Sequence, residues 1–162
     1  MSKMSDADRD LVLAHNREPH GRAAVPDATH RAVGENPLCG DRLVLRLRLE
    51  DDRIAAIGHE TEASALTLAA TSVLCTLVQG LSCAAALALS ERALRFILDN
   101  PTAQRDPRLG DFNAFVSVIG YPNRLKTVTL PWATLRAALL GQQRTSTDHD
   151  VRGSAPPEAA IP

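Results

Sequence analysis

The sequence is short of aromatic residues, of cysteine and of net charge, and each shortage excludes something. Only three Phe, one Trp and one Tyr occur among 162 residues, so the core must be built mainly from Leu, Ile, Val and Ala. Three cysteines, an odd number without dense spacing, do not describe a disulfide framework. A formal net charge of -1 gives no basic footprint for nucleic acid, and no polybasic patch points to a membrane surface. No apolar run reaches the ~18 residues of a membrane span. The polar start MSKMSDADRD lacks a signal peptide's apolar region, so a cytoplasmic protein is expected. Internal repeats and a phosphate-binding glycine loop are also missing. What is present, 44% hydrophobic and 23% charged residues, suits one domain with a sizeable core.

The chain is organised around Asn36-Pro37-Leu38-Cys39-Gly40-Asp41, followed at once by an alternating strand. Pro37 and Gly40 favour a bent backbone, and the strand behind them can hold that bend rigid. Cys39 and Asp41 then offer a sulfur and an oxygen from one loop, as a metal or sulfur-transfer site requires. Cys-x-Asp alone is a weak motif, since a free cysteine is usually a small buried hydrophobe.

Residues 1–9 are expected to be flexible, 10–141 to form the single domain, and the polar, proline-containing 142–162 a disordered tail. A short helix from Asp10 ends at the Pro19/Gly21 punctuation. His15, His20 and His30 fit no ligand pair on one helix face and read as solvated loop residues. Leu43, Leu45, Leu47 and Leu49 alternate with Arg42, Val44, Arg46 and Arg48, which predicts a half-buried antiparallel strand with its arginines in water. Arg53 to Glu60 supplies the second strand of a hairpin. Helical periodicity then runs from Ser64, placed as N-cap, to Gly80 as the stop. Ser82 caps a segment through Leu89, and Ser90 another through Leu98. Cys75 and Cys83 read as packing or incidental residues. Asp111 caps a helix carrying Phe112, Phe115, Val116 and Ile119. The last helix holds Pro131 in its first turn, buries Trp132, Leu135, Ala138 and Leu139, and stops at Gly141. The fold class is α+β, a small antiparallel sheet with helices packed on one face.

Several of these segments together resemble the NifU/IscU/SufU-type scaffold proteins of iron–sulfur cluster assembly. The likeness rests on LVLAHNREPHG at 11–21, NPLCGD at 36–41, the strand pair, the helix before Gly80, and LGDFNAFVSVIGYPNRLKTVTLPW at 109–132. It covers about residues 10–141, and the long stretch before Arg124-Leu125-Lys126 is similar to the SufU subgroup.

The resemblance implies zinc or an iron–sulfur cluster as cofactor, and a cysteine desulfurase and other assembly proteins as partners. It makes Cys39 a sulfur acceptor and Cys39 with Asp41 metal ligands. The family's second and third cysteines match Ser64, preceded here by Ala63, and Thr127. The ligand set is therefore incomplete, because a neutral hydroxyl is a poor replacement for a thiolate. Ser64 and Thr127 equally suit helix starts, where a hydroxyl accepts from an orphan backbone N–H, and Thr129 competes for that duty. Arg124 and Lys126 match the family's Arg-x-Lys segment, which the resemblance makes a partner-binding surface. Two functions stay open on the sequence: a sulfur acceptor degenerate at its metal site, and a non-catalytic desulfurase partner carrying neither metal nor cluster.

Overall fold

The computed structural model describes residues 3–147. The elements are α1 (Asp6–Arg17), β1 (His30–Asn36), β2 (Asp41–Glu50), β3 (Arg53–Glu62), α2 (Ala65–Val78), α3 (Cys83–Leu98), a 3-10 segment (Pro107–Val118), α4 (Pro122–Leu139) and β4 (Arg144–Ser146). The sheet has the order β3-β2-β1-β4. β2 pairs antiparallel with both neighbours, while β4 joins β1 in parallel. The expected hairpin is β2–β3, and the class is α+β.

The leucine–arginine alternation divides the sheet. Leu43, Leu45 and Leu47 stand opposite Gly34, Ala32 and His30 on β1, and opposite Thr61, His59 and Ile57 on β3. The three leucines are fully buried. On the other face Arg46 meets Glu60 at 3.1 Å, and Arg42 lies 4.0 Å from Glu35. The arginine stripe is thus paired with carboxylates along the sheet. Four of the five aromatics gather away from it: Phe112 stands 5.8 Å from Phe96 and 5.3 Å from both Phe115 and Trp132, ring centre to ring centre. Such contacts contribute about 0.5–1.5 kcal/mol per pair beyond burial.

Gly34 sets how closely α4 can approach β1. A methyl group there would overlap Thr134 Oγ1, whose hydroxyl donates to the Leu130 carbonyl at 2.7 Å. Gly34→Ala is expected to cost roughly 1–3 kcal/mol by overpacking. Adding Thr134→Ala removes the clashing oxygen and should recover part of that loss in a denaturation double-mutant cycle.

Several boundaries differ from the sequence reading. α1 begins at Asp6, not Asp10, because Ser5 Oγ accepts the Asp8 N–H at 3.1 Å and Asp6 and Asp8 suit the helix's positive end. Burial pushes the Asp8 carboxyl up, but hydrogen bonds from Arg105 and Ser5 and the Arg105 charge outweigh it and hold it below its ordinary value. His15 is on this helix and buried rather than a solvated loop residue. α3 is one helix: Ser90 caps nothing, and its hydroxyl donates to the Leu87 carbonyl at 2.8 Å. Asp106, not Asp111, caps the 3-10 segment, and Gly110 at φ 47° divides it.

α4 starts at Pro122, so Pro131 lies inside the helix and Thr127 within it rather than ahead of it. Residues 144–146 are strand, so the expected tail does not begin at 142; its part from 148 to 162 lies outside the described residues.

Candidate functional site

The β1–β2 turn carries the cysteine. Cys39 N–H donates to the Asn36 carbonyl at 3.2 Å, and Gly40 turns the chain at φ 72°, a conformation that suits glycine. Cys39 is exposed, and its neighbour Leu38 is 63% exposed. Asp41 opens β2 opposite Asn36 and is buried.

The Asp41 carboxylate meets the N-terminus of α2. Oδ1 accepts the Ser64 N–H at 2.9 Å, and Oδ2 accepts the Thr67 hydroxyl at 2.8 Å. Ser64 is the N-cap, as its place in the sequence indicates, with Oγ accepting the Thr67 N–H at 3.4 Å. Thr67 is fully buried and its Oγ1 lies 3.4 Å from the Thr127 carbonyl. That carbonyl lacks its helical donor because residue 131 is proline, which has no N–H. The Thr127 hydroxyl donates within α4, to the Asn123 carbonyl at 3.3 Å, and does not cap a helix start. Thr129 likewise donates to the Leu125 carbonyl at 2.8 Å.

The fold therefore brings Asp41, Ser64 and the backbone of Thr127 to one place through Thr67, a residue the sequence reading missed. No motif signals it: it is one small residue in an apolar helix. Cys39 sits on the turn two residues before Asp41. Among the described residues, no group of three or more His, Cys, Asp or Glu could hold a metal ion. Arg124 is exposed and places its guanidinium over the Tyr121 ring, 5.0 Å from the centroid. Lys126 is half-buried nearby on the same opening turns of α4.

The other thiols are less accessible. Cys75 is buried in α2, and burial pushes its pKa up to about 12. Cys83 opens α3; its pKa is raised by burial, then by the hydrogen bond and charge of Asp52, so the helix N-terminus does not make it a ready thiolate. His15, His20 and His59 serve to tie elements together. His15 Nδ1 lies 2.7 Å from Ser72 Oγ, which also accepts the His20 N–H at 2.8 Å, and His59 Nε2 donates to the His20 carbonyl at 2.8 Å. They tie the exit of α1 to α2 and β3.

Fold and site together define a small α+β domain that presents one exposed thiol beside a carboxylate buried at a helix N-terminus. The chain matches the NifU-like N terminal domain over residues 7–128 and belongs to that family. It is 28% identical over 141 residues to the iron–sulfur cluster assembly scaffold protein IscU of Streptococcus pyogenes serotype M1, with 86% of each chain covered. It is 24% identical over 135 residues to the zinc-dependent sulfurtransferase SufU of Bacillus subtilis (strain 168), covering 83% of this chain and 90% of that one. A crystal structure assigned as a SUF-system iron–sulfur cluster assembly scaffold of Fervidobacterium islandicum AW-1 superposes with a TM-score of 0.74 at 27% identity, covering 80% and 94% of the two chains. Among the described residues no helix is long and apolar enough to cross a membrane.

Proposed function

We propose that this chain works in iron–sulfur cluster assembly as a sulfur acceptor for a cysteine desulfurase, through Cys39 and without a resident metal ion. The observation that carries the reading is the exposed Cys39 thiol at the family's first cysteine motif, while Cys75 is buried and Cys83 is half-buried beside Asp52. Transfer needs only one such thiol. The Cys39 thiolate attacks the terminal sulfur of the desulfurase persulfide. The enzyme's S–S bond breaks as the new one forms on Cys39, and the desulfurase cysteine leaves as thiolate with no net redox change.

Zinc and iron–sulfur clusters are held mainly by thiolates. Cys39 supplies one thiol and Asp41 one carboxylate, while Ser64 and Thr127 stand where the family has its other cysteines. The Thr127 hydroxyl donates to the Asn123 carbonyl and, like that of Ser64, stays a neutral oxygen donor where a thiolate is needed. This donor set does not fit either group, and no step is routed through one.

Arg124 and Lys126, without a carboxylate partner among the described residues, favour a docking role for the start of α4. Pull-down with a cysteine desulfurase, followed by its activity assay, tests the reading. Binding with stimulated sulfur release is expected. Binding without stimulation would instead make the chain a regulator, and no binding would overturn both.

A further inference from the structure

We propose that Thr67 is a positioning residue: with Asp41 it forms a hydrogen-bonded lock that holds the Cys39 turn to α2 and α4 in place of a metal ion. The inference rests on the metal-free part of the function proposed above.

The proton directions are mutually consistent. The Ser64 N–H donates to Asp41 Oδ1, and the Thr67 hydroxyl to Oδ2, at 2.9 and 2.8 Å. Ser64 Oγ is 3.1 Å from Thr67 Oγ1, so the serine hydroxyl can donate to the threonine oxygen while that oxygen's own proton faces Asp41. A longer branch of the same proton reaches the Thr127 carbonyl at 3.4 Å, the acceptor that Pro131 leaves free. One buried hydroxyl thus touches β2, the cap of α2 and the backbone of α4.

These bonds are charge-assisted, and the carboxylate lies at the positive end of α2. A metal ion would join the same three segments through its ligands; here Asp41 and Thr67 join them directly. Since Asp41 is two residues beyond Cys39, fixing its carboxylate also fixes the frame of the turn that presents the thiol.

Thr67→Val keeps the shape but leaves Asp41 Oδ2 buried without its donor. The Tm is expected to fall by roughly 5 °C or more, and exchange of the Ser64 amide hydrogen to quicken; Thr67→Ser should keep both near wild type. Wild type should show no Tm change with a chelator or with added zinc. Well below the unfolding temperature, Thr67→Val should accept desulfurase-derived sulfur on Cys39 at a reduced rate, and Thr67→Ser should restore it. A chelator-induced fall in the wild-type Tm, or a Thr67→Val protein with wild-type Tm and amide exchange, would overturn the lock. A destabilised Thr67→Val that labels at the wild-type rate would overturn the positioning role. Failure of every variant and of wild type to label would sink the sulfur-acceptor reading instead, while the Tm and exchange measurements still decide the lock.

Discussion

Radiolabelled sulfur supplied by a cysteine desulfurase is expected on the wild-type chain and absent from Cys39→Ser. The contrast should be close to all-or-none because the three thiols differ so much in their surroundings. Sulfur transfer requires a thiolate that can approach a persulfide on another protein. Cys39 stands on an exposed turn. Cys75 is enclosed in α2, where burial pushes its pKa up to about 12 and keeps it a thiol at neutral pH. Cys83 is raised as well, by burial and by Asp52, and only part of it reaches solvent. Cys75→Ala and Cys83→Ala should therefore label like wild type. Equal labelling of Cys39→Ser and wild type would remove the sulfur-acceptor reading and leave the docking role of Arg124 and Lys126 to be judged by pull-down.

The second large effect is a gain. Ser64→Cys together with Thr127→Cys would add two thiols beside Asp41, giving three thiolates and one carboxylate with Cys39, a set suited to tetrahedral zinc. Serine and cysteine are nearly isosteric, and Thr127→Cys mainly removes a methyl group, so packing cost at either position is small. The geometry supports the choice: Ser64 N lies 2.9 Å from Asp41 Oδ1, and Thr67 bridges Asp41 to the Thr127 backbone. The hydrogen bonds already on Asp41 would then orient a metal-binding carboxylate. Zinc that binds only the folded protein stabilises it by mass action, ~4 kcal/mol at a thousandfold excess over Kd. The double mutant should take up one zinc per chain, gain thermal stability with it and lose that gain to a chelator, while wild type does none of these. Stoichiometric, chelator-sensitive zinc in wild type would overturn the metal-free reading. A double mutant that ignores zinc would show that positions 64 and 127 do not correspond to the family's cysteines.

Features that depend on near neighbours in the chain were legible in the sequence. The alternation from Arg42 to Leu49 fixes a two-faced strand, since side chains on successive residues point to opposite sides. Ser64 and Gly80 bound α2, and Gly141, at φ 75°, follows the end of α4, because caps and left-handed turns are local chemistry. The order of motifs was enough to identify the family. Other features needed the folded chain. β1 carries the small Ala32 and Gly34 on its core face and β4 is three residues long, so neither shows a strand's usual signal; pairing with neighbours makes them strands. Pro131 reads as a first-turn residue, yet α4 begins nine residues earlier at Pro122, and packing against β1 and α3 supports a helix that the proline's missing N–H weakens. His15 reads as a loop residue, yet it is buried and hydrogen-bonded to Ser72, 57 positions away. The same separation explains Thr67. In sequence it is one small residue on an apolar helix. Only the tertiary structure brings it to Asp41, 26 positions away, and to the backbone of Thr127, 60 positions away, where its hydroxyl acquires a role because a buried carboxylate needs a donor.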